Sequence, residues 1–230
     1  MTAMLRRTFA AAGLGGLGCA WWLPAAHGAA ITESDAALGI RAALERGAVA
    51  AVGLLGRNGG FLNNPKVRIE LPGYLNEAAK VLKFTGQQRR VDELVTAMNR
   101  ATETTVPEAK TMLVNAVRSM SVEDGRRILT GGDNSATEFF AEKTRSPLAV
   151  KFLPIVTKAT ERVALADKYN AVAGKAAGIG LVDAKDANLQ QYVTGKALDG
   201  LYLMIGDEER KIRRDPVGTG SALLRKVFGV

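Results

Sequence analysis

Apolar residues return at intervals of three and four along most of this chain, and that rhythm constrains the fold more than any other feature. Ala37, Ile40, Leu44, Ala48, Ala51 and Leu55 share one face of a helix, because an α-helix turns once every 3.6 residues. Thr32-Glu33-Ser34-Asp35 supplies a capping residue and first-turn acids, and Arg57-Asn58-Gly59-Gly60 stops the helix. Further helices are expected over 75–84 and around Val91, Leu94, Val95 and Met98. Pro107 suits a first helical position ahead of Met112, Leu113, Ala116, Val117 and Met120. Ser121-Val122-Glu123-Asp124 caps a short helix ending at Gly131-Gly132, and Asn134 or Ser135 opens another through Phe140. Ser146-Pro147 starts a longer helix that Pro154 kinks or restarts.

The Gly/Ala-rich run 173–185 is the best linker candidate. Asp186 then opens a helix with Leu189, Val193, Ala197, Leu201, Met204 and Ile205 on its buried face. Gly195 and Gly200 each cost about 1 kcal/mol against alanine inside a helix, so close helix contact is expected there. Leu223, Leu224, Val227 and Phe228 form a last amphipathic turn or two, read as docking on the core in preference to a membrane surface.

One stretch breaks the helical rhythm. Val67, Ile69 and Leu71 alternate with Arg68 and Glu70 between Pro65 and Pro72, the period of a half-buried strand. With Phe61-Leu62 and Asn63-Asn64 before it, the expected fold class is mainly α: a compact multi-helix domain with one short β-hairpin or strand near residues 61–71. A two-stranded ribbon is marginal alone, so it must pack on helices or pair with another subunit, which makes a homo-oligomer a candidate state.

The first thirty residues differ from the rest. Arg6 and Arg7 precede an apolar run from Phe9 to Leu23, and small residues follow at 25–30. That charged, apolar, small-residue order is the order of a secretory signal peptide. Residues 1–30 are therefore expected to be a signal peptide cleaved after Gly28 or Ala30. Residues 31–230 are expected to form a single helical domain in the periplasm or otherwise exported. The apolar run falls short of the roughly 20 residues that a membrane span needs, and no transmembrane span is expected after signal removal. Arg6-Arg7-Thr8-Phe9 fits a twin-arginine signal, and the ordinary export route stays equally open. Cys19 follows Gly16-Leu17-Gly18, a poor lipoprotein box, and is expected to leave with the signal. Gly13-Leu14-Gly15-Gly16-Leu17-Gly18 matches a dinucleotide-binding pattern, but no strand precedes it.

Cys19 and His27 are the single cysteine and histidine, so residues 31–230 contain neither. For that segment this removes disulfides, the usual zinc, haem and copper ligand sets, and Ser-His-Asp or Cys-His catalysis. No metal and no cofactor is expected. The net charge of +8 includes Arg6 and Arg7, and the remaining basic pairs have acids nearby. Without aromatic-basic interleaving, nucleic acid is not an expected partner, and a solvated surface with affinity for anionic envelope components is.

Several polar constellations remain. Asn99, Arg100 and Glu103 lie within one helical turn, with Asn99 and Glu103 on one face beside Val95 and Met98. They line a polar pocket or, more simply, form a helix-ending salt bridge or cap. Asp133, in the glycine turn before Thr137, opposes an anion and more plausibly caps the following helix. Tyr192, Lys196 and Asp199 fall at i, i+4 and i+7 on a stripe opposite the buried face. They read as an acid/base group if desolvated, or as a buried ion pair that fixes helix register. Glu209 and Arg213 form an i,i+4 pair on a charge-dense helix end, read as a solvated face.

From Ile31 to Gly229 the chain resembles the bacterial family named domain of unknown function 4197 (DUF4197). The resemblance is carried by Glu70-Leu71-Pro72, by the run Met98 to Glu103, by Ile128 to Asp133 and by Ala136 to Phe140. It continues in Lys151 to Val156, Tyr192 to Leu201 and Glu208 to Pro216. Thr102 and Ser135 stand where the family pattern has alanine. The resemblance implies an exported helical protein and carries no established activity. The leading functional expectation is a non-enzymatic envelope protein that binds a small ligand or an envelope protein. The alternatives are a carboxylate/lysine hydrolase using Glu103, Asp133, Lys196 and Asp199, and a structural or assembly role.

Overall fold

The computed structural model describes residues 33–75, 86, 88–161, 164–178, 180 and 188–215. The helices are α1 (Glu33–Leu55), α2 (Gln88–Thr105), α3 (Ala109–Arg118), α4 (Val122–Thr130), α5 (Ser135–Thr160), α6 (Ala164–Gly178) and α7 (Leu189–Arg214). Short 3-10 turns lie at Gly73–Leu75 and Val106–Glu108. The expected helix over 75–84 lies outside the described residues apart from Leu75, and so do the signal-peptide residues and the segment Leu223–Phe228.

The two 26-residue helices, each about 39 Å long, form the spine. α7 packs chiefly on α5 and α1, α2 lies across α5, and α3 fits between α1 and α5. The periodic residues meet in this core. Ala37, Ile40, Leu44, Ala48, Ala51 and Leu55 of α1 are all buried, as are Leu189, Val193, Ala197, Leu201, Met204 and Ile205 of α7. Ser121 caps α4 through a reciprocal capping box with Asp124, and α4 stops at Gly131. Pro107 sits in the 3-10 turn ahead of α3. Among the described residues, no helix is long and apolar enough to cross a membrane.

Four expectations are corrected. Residues 61–71 form no hairpin or strand. They make successive turns, with the N–H of Asn63 donating to Gly59 O and those of Val67 and Arg68 to Asn64 O. The alternation itself is real, since Val67 and Ile69 are buried while Arg68 and Glu70 are exposed. It reports a turn and an irregular stretch after it with one side on the core, not a ladder. The backbone of Ile69 is bonded to a side chain, so strand pairing with another subunit has nothing to use at that position.

The break expected at Ser146-Pro147 is also absent, because α5 runs unbroken through Pro147 and Pro154. Both prolines are exposed and seven residues apart, so they share a face. The carbonyls they leave without an N–H belong to Lys143 and Val150, exposed residues whose carbonyls water can serve. The linker expected over 173–185 is helical up to Gly178, within α6. α7 starts at Leu189, capped by the Asn188 side chain, and not at Asp186.

Candidate functional site

The polar motif residues gather into two braces and one surface pair. The first brace grips the loop over 56–72. Glu103 on α2 is 4% exposed, and its Oε1 accepts the N–H groups of Phe61 (3.1 Å) and Leu62 (2.9 Å). Its Oε2 accepts from Arg100 Nη1 at 2.6 Å, and Arg100 also donates to Asn58. Burial alone would raise the Glu103 pKa. The N–H of Leu62, the Arg100 guanidinium and the N–H groups of Gly59 and Phe61 outweigh it and hold the carboxyl below its usual range.

Asn99, fully buried one turn earlier, imitates a neighbouring strand. Its Oδ1 accepts from Ile69 N–H and its Nδ2 donates to Ile69 O, both at 2.8 Å. From the other side the Tyr192 hydroxyl donates to Glu70 O at 2.9 Å. Gly200 completes the cradle: a Cβ there would lie 2.7 Å from the buried Phe61 ring. Contact with this loop, and not with another helix, explains that glycine.

The second brace holds the start of α5. Asn134 makes no side-chain cap, and Asp133, exposed in the preceding turn, does not cap the helix as the sequence suggests. The cap comes from α7. Glu209 is 7% exposed and accepts from Ala136 N–H (3.0 Å), Thr137 N–H (2.9 Å) and the Thr137 hydroxyl (2.8 Å). A carboxylate at a helix N-terminus satisfies orphan N–H groups and complements the helix dipole. Arg213 pairs with Glu209 at 2.9 Å and donates to Ile128 O and Ser135 Oγ. The solvated-face reading of this pair is therefore corrected.

Lys196 and Asp199 do come together, at 4.0 Å, but both side chains are about half exposed. Asp199 also pairs with Arg145, and Lys196 lies 5.8 Å from the centre of the Tyr192 ring. Neither the desolvated acid/base reading nor the buried ion pair describes them. Tyr192 is buried, so the three do not share a solvent-facing stripe. The nine candidate residues thus divide into separate clusters, with Asp133 in none of them.

Two grooves flank α7. One, of about 680 Å³ against α1, is lined by Ala42, Gly47, Val49, Ala50, Glu208 and Ile212, among others. The other, of about 570 Å³ against α5, includes Ala141, Ala149, Val150, Thr194, Gly195 and Leu198. Thr194 is the anomaly. Thr102, Thr105, Thr144 and Thr160 are buried like it, and each hydroxyl bonds the carbonyl four residues back. The Thr194 hydroxyl is 5% exposed as a residue and has no partner. No sequence signal separates it from the other four. The role of Glu209 is equally hidden, since its partners lie more than 70 residues away. Among the described residues, no group of three His, Cys, Asp or Glu side chains is placed to hold a metal ion.

These features define a class, a domain that is mainly helical over its described residues and whose polar residues brace a partly buried loop and a helix end. The chain belongs to the DUF4197 family, described as a protein of unknown function, whose profile matches residues 30–229. No curated protein and no solved structure matches the chain.

Proposed function

We propose that the chain is exported to the periplasm and acts there as a non-enzymatic helical protein that binds a small ligand or a protein partner. The N-terminal charged, apolar, small-residue order supports export. The observation that supports binding is the α5/α7 groove, apolar over most of its surface and walled in part by Ala149, Gly195 and Leu198.

The hydrolase reading has less support. Glu103, Asp133, Lys196 and Asp199 line neither groove, and Glu103 is already engaged by two backbone N–H groups and Arg100. The test is a native mass spectrum of the protein purified from the envelope of cells that express it. A binding protein carries extra mass, or a second chain, that is lost on denaturation and reduced in Gly195→Leu, which fills the groove. Turnover of an envelope substrate, abolished by Lys196→Ala or Glu103→Ala with the fold intact, would overturn the proposal.

A further inference from the structure

We infer that the groove between α1 and α7 is the docking site of the chain's own residues 223–228, which fold back over the last turns of α7. This stands apart from the reading of the α5/α7 groove, and of the two grooves it leaves that one to an external occupant.

The α1/α7 groove is apolar and built from small residues. Ala42 and Ala50 stand exposed on α1, Gly47 lies between them, and the partly buried Ile212 of α7 faces them. At Gly47 the two helices already touch, since a Cβ there would lie 3.6 Å from Ile212 Cδ1 and 3.7 Å from Glu208 Cβ. The helices have no room to close further, so the open volume of about 680 Å³ is filled only from outside the pair.

The next stretch of sequence has the matching pattern. α7 ends at Asp215, ahead of Pro216 and within one turn of Ile212. In Leu223-Leu224-Arg225-Lys226-Val227-Phe228 the apolar residues fall at i, i+1, i+4 and i+5, one face of a helix, with Arg225 and Lys226 flanking it. The linker over 215–222 contains Pro216, Gly218 and Gly220 and reaches about 27 Å when extended. The groove runs only about 12 Å along α1, from Ala42 to Ala50, so the segment reaches all of it.

Tethering selects this occupant over a separate partner, because a short linker presents the segment at an effective concentration on the order of millimolar. The charges agree. On the rim, Glu208 pairs with Lys211 and Arg46 is already engaged, whereas Glu45 has no ion pair among the described residues and is left for Arg225 or Lys226. The family profile extends to residue 229, which makes the segment part of the domain and not an appended tail.

Hydrogen exchange and thiol labelling of the purified protein, both read by peptide mass, test the docking from its two sides. The amides of 223–228 should be protected by about tenfold or more, and Ala50→Glu should remove that protection. The thiol introduced by Ala50→Cys should react about tenfold faster when Leu224→Asp is also present. Val122→Cys, 54% exposed on α4, should react alike with and without Leu224→Asp, and Gly195→Leu, in the other groove, should leave the protection in place. Ala50 is exposed, so circular dichroism should show the fold unchanged. Unprotected amides, protection that survives Ala50→Glu, or a labelling rate indifferent to Leu224→Asp overturns the inference. Protection lost on dilution to a monomer would place the segment on a second copy, and protection seen only with vesicles of anionic phospholipid would place it on a membrane; either overturns docking on its own chain.

Discussion

Glu103 and Glu209 use the same chemistry for different ends. Each is a buried carboxylate that accepts two successive backbone N–H groups and pairs with an arginine one turn away on its own helix. Glu209 closes the N-terminal end of α5, a helix with its own backbone hydrogen bonds along most of the rest of its length. Glu103 holds a loop with no ladder of its own, helped by Asn99 and Tyr192. Their arginines differ too. The side chain of Arg213 is 17% exposed and that of Arg100 is 39% exposed, so Arg213 depends more on its carboxylate. A charged side chain thus serves as a backbone substitute wherever the chain lacks its own hydrogen-bonding partners.

Variants can break or sharpen this contrast. Glu209→Ala is expected to cost most, about 3–5 kcal/mol in urea unfolding, because it leaves the enclosed Arg213 without its counter-charge. A cost under 1 kcal/mol would mean that water replaces the carboxylate easily. Asn99→Ala removes both partners of the Ile69 backbone and should cost about 2–3 kcal/mol, with amide exchange accelerating across the loop and not at the start of α5.

Acid tests the Glu103 brace directly. The Glu103 pKa is lowered on folding, so its stabilisation is complete above its ordinary value of 4.5 and is lost as pH falls through the lowered folded value. The stability gap between the native chain and Glu103→Gln should therefore hold at neutral pH and narrow below 4.5. A gap independent of pH would assign the brace to shape alone. Lys196→Ala should change stability least, by no more than about 0.5 kcal/mol, because its ion pair is long and exposed.

Most helix faces were legible because burial follows local spacing. The six periodic positions of α1 and the six of α7 all lie in the core. The alternation at 67–71 was legible as burial and misleading as pairing, since a turn and an irregular stretch lying on a core can alternate in burial without a second strand. Pro147 and Pro154 misled for a related reason. The rule that proline ends a helix assumes that the freed carbonyls have no other partner, and exposure to water removes that assumption. Of the candidate site, the Arg100–Glu103 and Glu209–Arg213 pairs could be read from spacing. The third partners could not: the Phe61 and Leu62 N–H groups lie about 40 residues from Glu103, and the start of α5 lies more than 70 from Glu209.

The sequence by itself determined the helical class, the faces that seek the core, the ends marked by Ser121 and Gly131, and the absence of cysteine and histidine after residue 30. Only the tertiary structure decided that the loop over 56–72 is held by side chains, that Glu209 caps a distant helix and that Thr194 lacks a partner. The reason is one of range. Hydrophobic periodicity is written within each helix, whereas a donor finds its acceptor only after packing has chosen which helices become neighbours.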